Sequence, residues 1–127
     1  MKYLGIDYGS KRVGVAISGD DSALAFPLIV LKNDDKLMAN LANIVKDHSI
    51  NEIIVGESKD YKQNPNPIMK DIDAFVVEVK KLLGIKVILH PELLSSIEAE
   101  RVQGKNDMLD ASAAAIILQS YIDINKK

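Results

Sequence analysis

Short apolar runs alternate with polar turns over the first quarter of the chain. Residues 2–6, 12–18 and 25–31 are rich in Leu, Ile, Val and Ala, and turns containing Gly, Ser, Asp and Lys separate them. Strands joined by so few turn residues pair as antiparallel hairpins. Three consecutive antiparallel strands are therefore expected.

The period of the pattern then changes. Apolar residues recur every three or four positions over 34–48 and 68–83, which predicts two helices, the first capped by Asn33 or Asp34. The second helix should carry Leu82 on its apolar side, and Gly84 should cap its end. The remaining elements predicted from apolar runs and cap residues are strands over 52–55 and 86–89, a short helix from Ser95 or Ser96 to about Gln103, and a last helix from Asn106 or Asp107 to about Tyr121.

The element order predicts the fold class. Strands that alternate with helices join a sheet in parallel through right-handed crossovers. The expected α/β fold is a mixed five-stranded sheet, three antiparallel strands followed by two parallel strands, flanked by helices. With 127 residues and 47 % apolar content, the chain is expected to form one domain over 1–127.

Composition narrows the functional classes. The sequence has no cysteine, which excludes disulfides, thiol catalysis and zinc–thiolate sites. The start of the chain resembles no signal peptide, and no apolar run approaches the ~20 residues that span a bilayer. We therefore expect a soluble cytoplasmic protein without membrane partners. The net charge of −2 is weak evidence about nucleic-acid binding, because clustered carboxylates can offset a basic patch.

Four acidic residues occur at positions that suggest chemistry. Asp7, Glu57 and Glu92 each come at or just beyond the end of a predicted strand. If the first, fourth and fifth strands are parallel and adjacent, these acids meet at one edge of the sheet, where α/β proteins place their active sites. Asp110 lies in the last helix, which is apolar almost all round and should pack on the sheet with Ala114 and Ile117.

A buried, unpaired carboxyl group usually stays protonated unless a cation compensates its charge. Oxygen ligands from Asp and Glu suit Mg²⁺ or Mn²⁺. Two such ions ~3.5–4 Å apart can activate water and stabilise the leaving oxygen in phosphodiester cleavage. Clustering of these four acids would therefore favour a metal-dependent nuclease.

The same residues carry a family resemblance. Residues 4–18, Leu-Gly-Ile-Asp-Tyr-Gly-Ser-Lys-Arg-Val-Gly-Val-Ala-Ile-Ser, resemble the opening hairpin of the YqgF/RuvX family, and residues 53–56, 96–100 and 110–121 resemble later parts of it. Members are described as Holliday junction resolvases and as nucleases that mature the 5′ end of small-subunit ribosomal RNA. The resemblance implies a ribonuclease-H-like fold, with Asp7 and Asp110 matching the family's first-strand and last-helix aspartates.

The middle of the chain departs from the family pattern. The family segment Asp-Glu-Arg-Leu-Thr-Ser aligns with residues 91–96, so Glu92 matches while Pro91 and Leu93 replace the Asp and the Arg. The family usually has Leu-Pro after the glycine at position 56, where this chain has Glu57 and Ser58. The expected metal ligands are therefore Asp7, Glu92 and Asp110, and Glu57 is a fourth candidate catalytic acid.

Basic and polar residues near this edge are candidate phosphate contacts. They are Lys11, Arg12, Ser95 and Lys105. Helix capping alone explains Ser95 equally well, and solvated surface lysines are common. His90 is interpreted as an ordinary residue at the end of a strand rather than as a group that acts on a water molecule near Glu92.

These features together predict a Mg²⁺- or Mn²⁺-dependent endonuclease that acts on structured RNA or branched DNA. Its expected roles are 5′-end maturation of pre-16S ribosomal RNA, Holliday junction resolution, or both. The alternative is a catalytically weak nucleic-acid-binding module of the same fold. A phosphate loop of an actin-like ATPase is disfavoured, because that fold needs a second domain. Either a monomer or a homodimer is compatible with the sequence.

Overall fold

The computed structural model describes residues 2–19, 23–57, 69–91 and 109–125. None of the helices within these ranges has both the length and the apolar character needed to span a bilayer. The described elements, in chain order, are strands β1 (Tyr3–Tyr8), β2 (Arg12–Ser18) and β3 (Ala25–Lys32), helix α1 (Leu37–His48), strand β4 (Glu52–Glu57), helix α2 (Met69–Leu83), strand β5 (Lys86–Pro91) and helix α3 (Leu109–Asn125).

The five strands form one mixed sheet in the order β3-β2-β1-β4-β5. β1 pairs antiparallel with β2, and β2 pairs antiparallel with β3. β4 pairs parallel with β1 on one side and with β5 on the other. The predicted mixed sheet is confirmed. The first, fourth and fifth strands are parallel and adjacent, which is the condition under which the acids at their ends were expected to meet.

The three mutually parallel strands, β1, β4 and β5, are longer than predicted. β1 continues past residue 6 to Tyr8, so Asp7 lies within the strand rather than after it. Tyr8 was expected to begin a turn, but it pairs with Val13 and its ring lies 4.8 Å from the ring of Phe75. β4 and β5 likewise run two residues further, to Glu57 and Pro91. A polar residue interrupts the apolar run in sequence without ending the hydrogen-bonded ladder.

The first helix begins later than predicted, at Leu37 rather than at residue 34. The predicted cap is wrong, because Asp34 accepts a hydrogen bond from the backbone N–H of Lys36 at 2.9 Å in a turn before the helix. Asn33 donates its side-chain amide to the carbonyl of Gly9 at 2.8 Å. Both predicted cap side chains therefore make other contacts.

The other helices follow the prediction with smaller differences. α2 ends at Leu83, and Gly84 adopts a left-handed φ of 60° after it, as expected for a cap. Leu82 was expected on the apolar side of α2 but is 59 % exposed. α3 continues one turn beyond the predicted end, to Asn125. The predicted short helix over 95–103 lies outside the described residues.

The sheet separates two apolar layers. α1 and α2 cover one face, on which the buried side chains include Leu4, Ile6, Val13, Val15, Leu41, Ile53, Val55, Ile72, Phe75 and Val79. α3 covers the other face, with a smaller buried cluster of Ala16, Ile54, Ala114, Ile117, Leu118 and Ile122. The alternation of strand side chains assigns each residue of β1 to one of these layers.

A glycine allows α3 to approach the middle of the sheet. A Cβ added at Gly5 would lie 2.7 Å from the Cβ of Leu118 and 2.9 Å from the carbonyl oxygen of Ala114. Both neighbours belong to the rigid part of the helix, so neither can swing away. The separation of α3 from β1 therefore depends on the absence of a side chain at position 5.

His90 joins the edge strand β5 to α3. It is 8 % exposed, its Nε2 lies 3.0 Å from the hydroxyl of Ser120, and its ring meets the ring of Tyr121 edge to face at 5.8 Å. Burial lowers the pKa of His90 from its ordinary value of 6.5. The folded protein therefore favours the neutral imidazole, in agreement with a structural role for this histidine.

Replacing Gly5 by alanine should destabilise the protein. The added methyl group must displace α3 from β1, and overpacking of this kind costs about 1–3 kcal/mol. Chemical denaturation followed by circular dichroism measures the change in the free energy of unfolding. A variant with the wild-type midpoint and slope would contradict the close packing described for this position.

The stability of the protein should fall with acidification partly through His90. Between the lowered folded pKa and 6.5, the unfolded chain binds more protons than the folded one, so stability decreases as the pH falls below about 6.5. His90→Gln removes this titration and should flatten the decline in melting temperature between about pH 7 and pH 5.5. His48→Gln is the matched control and should keep the His90-dependent decline. Equal declines in wild type and His90→Gln would refute this assignment.

Candidate functional site

Asp7 lies near the carboxyl end of β1, at the centre of the sheet. Tyr3 and Gly5 contact α3, so strand alternation puts Asp7 on the α3 face as well. On one side its neighbour across the ladder is Gly14. On the other side Ile6 pairs with Val55, so the next residue of β4, Gly56, lies beside Asp7. The half-buried carboxylate is thus flanked by two positions without side chains.

The path of α3 leads toward the same corner. Tyr121 packs on Tyr3 at 5.7 Å, whereas Leu118 and Ala114 pack on Gly5. α3 therefore runs antiparallel to β1. The two residues from Gly5 to Asp7 advance ~6.7 Å along β1, and one turn of α3 advances a similar distance, ~5.4 Å. One turn before Ala114, where α3 begins, the helix is therefore level with Asp7. This direction brings the backbone of position 110 toward the end of β1.

Hydrogen bonds from a residue after β3 hold the loop between β1 and β2. Asn33, directly after β3, donates through its side-chain amide to the carbonyl of Gly9 and through its backbone N–H to the carbonyl of Lys11 at 3.0 Å. A Cβ at Gly9 would lie 2.6 Å from the carbonyl oxygen of Arg12, so the loop closes tightly. Asn33 was expected only as a helix cap, and its sequence context carries no signal of this contact.

The predicted site residues fall into two groups. Asp7 is described in full, and Lys11 and Arg12 are exposed at the same end of the sheet. The backbone of Glu57 ends β4 opposite Pro91, at that same end, and Asp110 is the second residue of α3. The side chains of Glu57 and Asp110, and the whole of Glu92, Ser95 and Lys105, lie outside the described residues.

The donor chemistry of this corner suits a hard divalent cation. Within the described ranges, no three His, Asp or Glu side chains form a group that could hold a metal ion. Of the predicted ligands, Asp7 is the one whose side chain is described. Asp7 provides carboxylate oxygens, the ligand type that Mg²⁺ and Mn²⁺ prefer, and the flanking glycines leave room beside it.

A separate cleft of about 280 Å³ opens on the other face of the sheet. Tyr8, residues of α1 and α2, and the turn before α1 line it. Four of its described lining residues are acidic: Asp34, Asp35, Asp71 and Glu78.

Comparison with known sequences covers almost the whole chain. The profile of the family described as "RuvX: Holliday junction resolvase" matches residues 1–124. A relative from Thermoanaerobacter pseudethanolicus is 31 % identical, and the match covers 99 % of both chains. A relative from Streptococcus equi subsp. zooepidemicus is 33 % identical, over 98 % of this chain and 99 % of its own. Both are named "Putative pre-16S rRNA nuclease".

Solved structures share the fold. Thermus thermophilus RuvC, in a complex with a Holliday junction substrate, superposes with a TM-score of 0.66 at 17 % identity over 98 % of this chain and 95 % of its own. The Fowlpox virus resolvase, in a complex with Holliday junction DNA, gives a TM-score of 0.62 at 16 % identity over the full length of both chains. The ribonuclease-H-like fold expected from the sequence is therefore confirmed, and the chain belongs to the RuvX family of Holliday junction resolvases.

Proposed function

We propose that this protein is a metal-dependent endonuclease that hydrolyses phosphodiester bonds in structured nucleic acid. The observation that carries the proposal is the position of Asp7, at the carboxyl end of the central strand and between Gly14 and Gly56. This end of the parallel strands is where α/β proteins place their active sites. Membership of a resolvase family supports the same reaction class.

Asp7, Glu92 and Asp110 would hold Mg²⁺ or Mn²⁺. The antiparallel path of α3 across β1 supports the pairing of Asp7 with Asp110, although the two are far apart in sequence. When bound, the cation would act as a Lewis acid on the phosphate and lower the pKa of an attacking water. Glu57, at the end of the neighbouring parallel strand, would accept a proton from that water.

The nucleic-acid backbone would be held by basic residues beside this corner. Lys11 and Arg12 are exposed, and Asn33 fixes the loop that carries Lys11. A loop fixed in this way loses little conformational freedom when a phosphate binds. Ser95 and Lys105 are the remaining proposed contacts.

We propose precursor 16S ribosomal RNA as the first substrate to test, since full-length relatives from different bacteria are named for it. Four-way junction DNA is the second, because the family description and the structural relatives name it. The replacement of an Asp and an Arg by Pro91 and Leu93 favours, as a second candidate function, a nucleic-acid-binding module with weak catalysis.

Asp7→Asn and Asp110→Asn should each abolish most cleavage. Loss of a carboxylate ligand removes several kcal/mol of transition-state stabilisation, and each ~1.4 kcal/mol is a tenfold change, so rates should fall roughly 100-fold or more. The measurement is single-turnover cleavage of labelled precursor ribosomal RNA and of a four-way junction with Mg²⁺ or Mn²⁺.

Asp47→Asn is the matched control for these variants. Asp47 is an exposed aspartate near the end of α1, which leads back toward the opposite edge of the sheet, and its loss should leave cleavage unchanged. Undiminished cleavage by Asp7→Asn or Asp110→Asn would refute the site. Binding of either substrate by the wild type without any cleavage would favour the second candidate function.

Mn²⁺ binding should separate the roles of Glu92 and Glu57. Even loss of a group that only supports a metal ligand costs about 10–100-fold in affinity, so Glu92→Gln should weaken binding by at least tenfold. Glu57→Gln should slow cleavage but leave the affinity within about twofold, because a general base is not a ligand. Electron paramagnetic resonance of free Mn²⁺ during titration measures both affinities. If Glu57→Gln weakens Mn²⁺ binding and Glu92→Gln does not, the two assignments are exchanged.

A further inference from the structure

Two exposed cations lie side by side at the active edge of the sheet. Arg12 is the first residue of β2 and Lys32 the last residue of β3, and the two are direct partners across the antiparallel ladder. Both are exposed. Two exposed cations on neighbouring strands present their charges to solvent about one strand spacing apart, which suits contact with successive phosphates of a nucleic-acid backbone.

The pair lies on the face that carries Asp7. Asp7 is opposite Gly14 on β2, and Arg12 is two residues from Gly14 along the same strand, hence on the same face. Arg12 is thus the diagonal neighbour of Asp7 across the ladder, ~7–8 Å away, and Lys32 is one strand further out, ~5 Å beyond Arg12. Because Gly14 lies between them, no side chain from β2 blocks the path.

The α1–α2 face of the same end carries several acidic side chains. The cleft beside Tyr8 is lined by Asp34, Asp35, Asp71 and Glu78. Asp34 and Asp35 follow Lys32 by only two and three residues, where the chain turns from the sheet to α1. These carboxylates would repel a polyanion, which disfavours a path of the substrate over the cleft.

From this arrangement we infer that Lys32 is a nucleic-acid contact, and that one arm of the substrate leaves Asp7 across β2 and β3 along the line Asp7, Arg12, Lys32. Arg12 holds the phosphate next to the cleaved one, and Lys32 holds a phosphate further along the same strand. Contacts of this type fix the orientation of the strand without reading its sequence. The inference rests on the proposed function, because it takes Asp7 as the point of cleavage.

The test is the salt dependence of binding. Fluorescence anisotropy with a labelled four-way junction and a labelled precursor ribosomal RNA fragment, in Ca²⁺ and without Mg²⁺ or Mn²⁺, gives the dissociation constant at several KCl concentrations. Log affinity falls linearly with log salt, and each lost phosphate contact makes this negative slope less steep by about 0.7–0.9. Lys32→Gln should therefore bind both probes roughly tenfold more weakly than the wild type at about 50 mM KCl, and about three- to fourfold more weakly at about 200 mM.

Lys46→Gln is the matched control. Lys46 is an exposed lysine in the last turn of α1, remote from this face, and its loss should change neither the slope nor the affinity. The melting temperature of Lys32→Gln should stay close to that of the wild type, since substitutions of exposed side chains change the free energy of unfolding only slightly. A lower melting temperature would mean that Lys32 stabilises the fold, and would overturn the inference.

The outcomes separate this inference from the proposed function. If the wild type binds and cleaves but Lys32→Gln has the wild-type slope, the inference is wrong and the proposed function stands. If Lys32→Gln lowers the slope while the wild type never cleaves, the inference stands and the nuclease proposal fails. If the wild type binds neither probe, both fail.

Discussion

The contact between α3 and β1 at Gly5 is the constraint on which the rest of the structure depends. Because position 5 has no side chain, the helix backbone rests directly against the central strand. That contact fixes how far α3 stands from the sheet and, through Tyr3 and Tyr121, the direction in which it crosses. The beginning of α3 is thereby directed toward the strand end at which Asp7 lies. Any pairing between Asp7 and Asp110 depends on this single close approach.

The two faces of the sheet differ in the size of their apolar clusters and in how closely helices pack on them. The α1–α2 face holds the larger cluster of buried apolar side chains. The α3 face has a smaller buried cluster of two alanines, three isoleucines and one leucine, and Gly5 lets the helix approach the sheet closely. The candidate chemistry lies at the end of the closely packed face. The close approach of α3 therefore occurs on the side with the smaller apolar cluster.

Much of the fold could be predicted from the pattern of apolar and polar residues along the chain. The three hairpin-linked strands and the change to helical periodicity gave the mixed sheet, because the connections are short and the apolar residues recur with clear periods. The ends of the elements were harder to predict: Asp7 interrupts the apolar run of β1 but stays in the ladder through Tyr8, and Asp34 forms a turn instead of a cap. A polar residue in the sequence suggests that a strand ends there, but the strand continues as long as its cross-strand hydrogen bonds continue.

The site was predictable in part. The position of Asp7 near the end of the first strand could be predicted, and the parallel pairing of the later strands followed from the crossovers, but their order in the sheet was only a supposition. The two hydrogen bonds from Asn33 to the carbonyls of Gly9 and Lys11 could not be predicted, since they join segments more than twenty residues apart in sequence. The pairing of Arg12 with Lys32 depends on the register of β2 and β3, which shifts at a bulge between Val15 and Ala16 and which no local pattern encodes.

We propose that Asp7 and Asp110 hold one divalent cation at the junction of β1 and α3. Anomalous diffraction from crystals soaked in Mn²⁺ is the decisive measurement. We expect a manganese peak bonded to carboxylate oxygens of both Asp7 and Asp110. A peak confined to the acidic cleft around Asp34, Asp71 and Glu78, or no peak near Asp7 at saturating Mn²⁺, would contradict it.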